Sequence, residues 1–279
     1  MVALKKPVVD FHIHPANYEI YSPSAIKWIC QQQGMDEDEL LDNYSKPQAM
    51  VEYLKQNGVD YAVIMAELSP AITGSCSNEN VAKFCEGREF LFPFASINPY
   101  LHNRPGDELE YWVKERGFKG VKLYPTYQFF YPNDSMLYPF YAKAEELGIP
   151  VMLHTGSSVF KGARIKYGDP TFLDDVAVDF PKLNIIMAHS GRGFWYDRAF
   201  FLARLHENVY MELAGLPPSR LLTYFPELER NADKIIFGSD WPGLTSIAEN
   251  IEAIRRLPIS EEAKDKILGK NAARVLKII

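Results

Sequence analysis

One pattern limits what this chain can fold into more than any other. Short apolar runs recur along it, and each stops on a residue that can bind a metal or move a proton. Asp-Phe-His-Ile-His occupies 10–14, Gly-Val-Lys-Leu-Tyr-Pro 120–125 and Val-Met-Leu-His-Thr-Gly 151–156. Ile-Ile-Met-Ala-His-Ser-Gly follows at 185–191, Val-Tyr-Met-Glu-Leu at 209–213 and Ile-Ile-Phe-Gly-Ser-Asp-Trp-Pro at 235–242. Val- and Ile-rich strands separated by helix-like sequence build parallel βαβ units. A polar residue closing strand after strand places those residues at the C-terminal mouth of an α/β fold, the (β/α)8 TIM barrel.

The alternation predicts eight strands, near 8–14, 61–66, 91–98, 120–125, 151–155, 184–189, 209–214 and 234–240. Amphipathic stretches at 47–56, 108–116, 137–147, 198–206 and 246–257 predict helices between them, with apolar residues at helical spacing such as Leu109, Trp112 and Val113. Gly58, Gly117 and Gly148 fall just past helix ends, where a left-handed cap is wanted. A chain of 279 residues suits one barrel. With no linker, repeat or low-complexity tract, a single domain over 1–279 is expected.

Charge and composition exclude several partners. A net charge of −6 gives no electrostatic reason to bind nucleic acid or an anionic membrane. No apolar run approaches the ~20 residues that span a bilayer. Residues 1–7 lead into the first strand without an apolar leader core. Three cysteines, with no Cys-x-x-Cys, fit reduced thiols in a cytoplasmic protein. The expected partner is a small molecule, with a homodimer among the admissible assemblies. Two long loops follow strand ends and should overhang the mouth: 15–45, holding Tyr18, Tyr21, Trp28 and an acidic helical segment, and 156–170, holding Arg164 and Lys166.

The His-x-His pair carries the most chemistry. Side chains two apart on a strand share a face, so His12 and His14 are expected inward and Phe11 and Ile13 toward the helices. Two imidazoles so spaced can grip one divalent ion, and His154, His189 and Asp240 close later strands. Asp10 is expected on the same inward face, either orienting a ligand or making a structural hydrogen bond.

These motifs together resemble the amidohydrolase superfamily, and within it the amidohydrolase-related branch that includes aminocarboxymuconate-semialdehyde decarboxylase. The resemblance covers the chain from first strand to last. It implies a (β/α)8 fold and one divalent metal, expected to be zinc, with manganese or another divalent ion as alternatives. By motif the ligands would be His12, His14, His154 and Asp240, and His189 the acid/base beside the metal. Binuclear members carry a carboxylated lysine at the end of strand four, so Lys122 makes a binuclear centre the minority alternative. Otherwise Lys122 would form a buried ion pair, with Glu212 as candidate partner, or meet an anionic substrate group.

Three imidazoles and one carboxylate leave a bound ion positive enough to lower the pKa of its water from about 16 to about 7. Asp240 could accept a proton from that water, and His189 could polarise a carbonyl or protonate a leaving group. The expected activity is therefore hydrolysis of a small amide, ester or lactone. The alternative is non-oxidative decarboxylation of an aromatic or unsaturated carboxylic acid, which uses the same parts. For substrate binding, Arg192 and Arg164 are the candidate anion contacts and Trp195 and Tyr124 the candidate stacking walls, with Tyr127 a weaker aromatic candidate. His102 and His206 have no strand-end context.

Overall fold

The structure, a computed structural model, describes residues 6–15, 17–243 and 246–278. Residues 1–5, part of the stretch on which the absence of a leader was argued, lie outside the described residues. Eight parallel strands form one sheet in sequence order. They are β1 (Val9–Ile13), β2 (Tyr61–Met65), β3 (Leu91–Ser96), β4 (Gly120–Leu123), β5 (Val151–Gly156), β6 (Ile185–Arg192), β7 (Val209–Glu212) and β8 (Ile235–Ile236). Each expected strand is present, and the (β/α)8 barrel is the fold.

β8 is short, so closure depends on backbone bonds beyond its ladder. Phe11 N–H donates to Phe237 O at 3.1 Å, Asp240 N–H to His12 O at 3.0 Å and His14 N–H to Trp241 O at 2.8 Å. Asp10 adds a side-chain clasp, its Oδ1 accepting from Ser239 N–H at 2.9 Å and His12 N–H at 3.2 Å.

Two apolar layers result. Val9, Phe11, Val63, Met65, Phe94, Met152, Ile186 and Ile236 fill the barrel interior, closed below by Ala272, Val275 and Leu276. A larger cluster, including Ile13, Ile64, Val121, Leu153, Met187 and Phe237, packs against the helices. The helices match the amphipathic stretches within a few residues, among them Pro47–Gln56, Pro105–Lys114, Tyr138–Leu147, Tyr196–Leu205 and Ile247–Arg255. Gly58, Gly117 and Gly148 all have positive φ, as their positions past helix ends require.

Strict alternation fails in β1. Phe11 lies inside the barrel, edge-on to Phe94 at 5.4 Å, while Ile13 packs outward. The register with β2 shifts between Asp10 and Ile13. An irregularity of this kind re-aims side chains, so His12 and His14 both reach the mouth although Phe11 also faces in. Asp10, between inward Val9 and Phe11, is therefore on the other face, which corrects the expectation that it lies below the histidines.

The loop at 15–45 contains the short strand Ile20–Tyr21 and helices Pro23–Gln33 and Glu37–Tyr44. Ile20–Tyr21 joins a three-stranded antiparallel sheet with Gly74–Cys76 and Glu67–Ser69. The acidic segment is a helix start, where Asp36 and Glu39 form a reciprocal capping box. The cysteines are free. Among the described residues no helix is long and apolar enough to cross a membrane.

Gly120 sits where the Phe94 ring fills the interior, and a Cβ there would overlap that ring. Gly120→Ala should lower stability in urea melts by about 1–3 kcal/mol, the usual effect of overpacking. In Gly106→Ala the nearest atom to the new Cβ is 3.5 Å away, so stability should hold or rise. Equal losses in the two variants would rule out the packing account.

Candidate active site

The β1–β8 seam brings residues more than two hundred positions apart into one cluster at the mouth. His12 Nε2 lies 3.4 Å from Asp240 Oδ1, and His14 Nε2 lies 3.8 Å from the same oxygen. One donor atom from each of His12, His14 and Asp240 falls within 4.8 Å of the others. A second such group joins His12, His189 and Glu212. The His154 ring is 4.6 Å from the His189 ring, and its Nε2 is 3.3 Å from Ser157 O.

His12, His14 and His189 are held from behind. Glu212, fully buried, places Oε2 3.2 Å from His12 Nδ1 and accepts from His189 N–H at 3.2 Å and Ala214 N–H at 2.8 Å. A side chain at Gly238 would collide with that carboxylate, so glycine is needed there. His14 Nδ1 is 2.9 Å from Tyr18 Oη, which donates to Glu67 Oε2 at 2.7 Å. His189 Nδ1 is 2.8 Å from Ala214 O. His189, Ser190 and Asp240 have φ of 65°, 48° and 64°. Left-handed conformations in such residues cost about 1–3 kcal/mol each and persist only where the surroundings impose them. Here Asp240 N–H is held by His12 O, and Ser190 Oγ by Glu212 O at 2.8 Å.

Burial dominates the electrostatics. It holds His12, His154 and His189 well below the usual histidine range, with neighbouring cations adding to the effect, and lowers His14 to about 3. Neutral imidazole is the form that binds a metal. Burial also raises the carboxyls of Asp240 and Glu67, and raises Glu212 to about 8. Lys122 is brought down to about 8, burial outweighing its acidic neighbours.

One cavity opens onto the cluster. Its walls include Tyr18, Tyr21 and Trp28 from the first long loop, Phe160 from the other, and Tyr124, Tyr127, Lys122 and Arg192. Trp28 meets Phe160 edge-on at 5.3 Å, so the two loops touch above the mouth. Arg192 Nη2 donates to Ser157 O at 3.1 Å, and its Nη1 is 3.8 Å from Asp240 Oδ2.

Several sequence candidates are placed otherwise. Arg164 is exposed, lies over the Phe129 ring at 4.8 Å and does not line the cavity. Trp195 packs beside Phe194, also off the cavity lining. Among the described residues Lys122 has no carboxylate partner within 4.0 Å, which corrects the expected ion pair with Glu212. Its Nζ instead lies 3.4 Å from His12 Nε2, because the Glu212 carboxylate is taken up by His12, His189 and Ala214. His102 bonds Asn98 O and His206 bonds Asp174, both away from the cavity. Sequence reasoning missed Glu67, buried and 3.6 Å from His14 Nδ1. The signal was present, since Val-Ile-Met-Ala-Glu is another apolar run ending on a carboxylate.

A barrel with convergent histidines and an aspartate at its mouth defines a class, and comparison supplies the family. The amidohydrolase family model matches residues 9–278, and the chain belongs to that family. A similar curated protein is the gamma-resorcylate decarboxylase of Rhizobium sp. (strain MTP-10005), 26% identical over 250 residues that cover 72% of this chain and 75% of that one. An uncharacterized TIM-barrel protein from Bordetella bronchiseptica superposes with TM-score 0.80 at 25% identity, covering 97% and 98% of the two chains. The dihydroxybenzoic acid decarboxylase of Polaromonas sp. JS666, solved with bound manganese and the inhibitor 2-nitroresorcinol, gives TM-score 0.67 at 21% identity over 98% and 97%. The hydrolase expectation is corrected by these findings: the curated relatives are decarboxylases, which break a carbon–carbon bond and are lyases.

Removing the Glu212 carboxylate leaves two buried backbone N–H groups, those of His189 and Ala214, without an acceptor, besides releasing His12 Nδ1. At about 1–3 kcal/mol for each, Glu212→Ala should lose about 2–6 kcal/mol in urea melts. A variant as stable as the parent would show that these groups find other partners.

Proposed function

We propose that this chain is a divalent-metal-dependent, non-oxidative decarboxylase of a small, planar, anionic aromatic or unsaturated carboxylic acid. The observation that carries the reading is the setting of Asp240. Its carboxyl lies between the imidazoles of His12 and His14 and the guanidinium of Arg192, inside a cavity walled by aromatic rings. The decarboxylase names of the curated relatives support the reaction class.

The donor set fits a divalent ion. His12 and His14 have their Nδ1 atoms engaged by Glu212 and Tyr18, so Nε2 is the atom each presents to the mouth, and both face one Asp240 oxygen, with Lys122 Nζ also near that of His12. His12, His14, His154 and Asp240 would hold the ion. The mixed nitrogen and oxygen donors suit manganese as well as zinc, and the manganese-bound neighbour favours testing both. Bound there, the ion would supply positive charge beside a substrate oxygen and stabilise charge delocalised from the ring.

The remaining steps belong to the chain. Arg192 binds an anionic group of the substrate, and Tyr124 and Tyr127 flank the ring. When the bond to the carboxylate breaks, its electron pair stays on the substrate carbon and carbon dioxide leaves. That carbon then needs one proton. Asp240, whose carboxyl faces the cavity between the histidines and Arg192, is the group placed to give it. His189 has Nδ1 against Ala214 O, so Nε2 is the atom it offers to a substrate hydroxyl.

Protein loaded with manganese or zinc should release carbon dioxide from one or more hydroxylated benzoates. Asp240→Asn should lower kcat by about two to four orders of magnitude, the scale of a lost acid/base group. Arg192→Ala should raise KM by about 10- to 100-fold, as expected for one charge-assisted hydrogen bond. Ester or lactone hydrolysis with no carbon dioxide from any aromatic acid would reject the proposal.

His12→Ala and His14→Ala should each abolish stoichiometric metal uptake, measured by elemental analysis after dialysis. Full retention in both variants would reject the ligand assignment while leaving the fold untouched.

A further inference from the structure

The metal reading of the mouth leaves unexplained why a buried glutamate from one loop and a tyrosine from another sit behind His14. Glu67 is 3% exposed and lies in Glu67–Ser69 of the antiparallel sheet. Its Oε1 accepts from Thr73 Oγ1 and its Oε2 from Tyr18 Oη at 2.7 Å. A tyrosine hydroxyl has one proton to donate, and Glu67 takes it. The contact between Tyr18 Oη and His14 Nδ1 at 2.9 Å must then run the other way, with His14 Nδ1–H donating and Tyr18 accepting. That direction fixes the imidazole: the proton is on Nδ1, and the Nε2 lone pair faces Asp240.

The tyrosine is itself well anchored. Its ring stacks on Tyr21 at 4.6 Å and 6°, and Tyr21 belongs to Ile20–Tyr21, which pairs with Gly74–Cys76. Ser22 then caps helix Pro23–Gln33, which carries Trp28 onto Phe160. One hydroxyl thus connects a ligand candidate to the loop that roofs the cavity.

We propose that Tyr18 is a positioning residue for His14, holding it in the Nδ1–H tautomer through the Glu67–Tyr18–His14 chain so that Nε2 is free to bind the metal. The proposal rests on the metal reading above. It is tested with Tyr18→Phe, which keeps the ring and its stacking and removes the hydroxyl, and with it both the acceptor facing His14 and the donor to Glu67. Affinity for Mn2+ and Zn2+ is measured by competition with a chromogenic chelator, and His14 is followed by 15N NMR of its ring in metal-free protein. The variant should bind both ions about 10- to 100-fold more weakly, the usual effect of losing a partner behind a metal ligand. His14 should lose its preference for Nδ1–H, while metal-free protein keeps the circular-dichroism spectrum of the parent. Unchanged affinity with His14 still held as Nδ1–H overturns the proposal and leaves the metal site standing. Parent protein that takes up neither ion overturns the metal reading and the positioning role with it.

Discussion

Everything at the mouth depends on how the last strand meets the first. β8 contributes only Ile235 and Ile236 to the regular ladder, so the seam is made by bonds that continue past it into the site. Asp240 N–H on His12 O and His14 N–H on Trp241 O are seam bonds, and the same residues carry the candidate ligands. The barrel therefore cannot close without bringing Asp240 against both imidazoles. Asp10 completes the arrangement from the outer face by holding Ser239 and His12 through one oxygen.

That coupling explains where the strain is found. Asp240, past the end of β8, and His189, within β6, are both left-handed, and neither is a glycine. Their N–H groups are held by His12 O and by the Glu212 carboxylate. Glycine appears instead where a carboxylate or guanidinium needs room: Gly238 beside Glu212, and Gly215 beside Arg192. Space is reserved for the polar groups, and the backbone around them is forced.

Most of the fold was legible because a parallel strand and its helix differ in hydrophobic period, and eight such alternations admit few architectures. The strand-end rule also indicated where His12, His14, His154, His189 and Asp240 would gather. It failed where local geometry departs from the period. The shift between Asp10 and Ile13 is a backbone event that alternation cannot register, and it misplaced Asp10 and Phe11. Arg192 and Arg164 both follow strand ends, yet only Arg192 lines the cavity, because β6 runs on to Arg192 whereas Arg164 lies out in a loop. Glu212 was the candidate partner for an ion pair with Lys122, but its carboxylate is already used by three other groups.

The reaction itself was beyond the reach of residue types, for a chemical reason. Hydrolysis and decarboxylation can both use a metal, an aspartate and a histidine; they differ in where the proton goes. A hydrolase needs Asp240 ionised, to take a proton from water. A decarboxylase needs it protonated, to give one to carbon. Burial raises the Asp240 carboxyl, Arg192 from β6 and Lys122 from β4 pull it back, and a bound ion would pull the same way, so its state is set by that balance. A substrate anion that engages Arg192 would weaken that opposing pull and move Asp240 further toward its protonated form. Binding an anionic acid would thereby prepare the proton that the vacated carbon requires, an order of events that an uncharged ester or lactone could not produce.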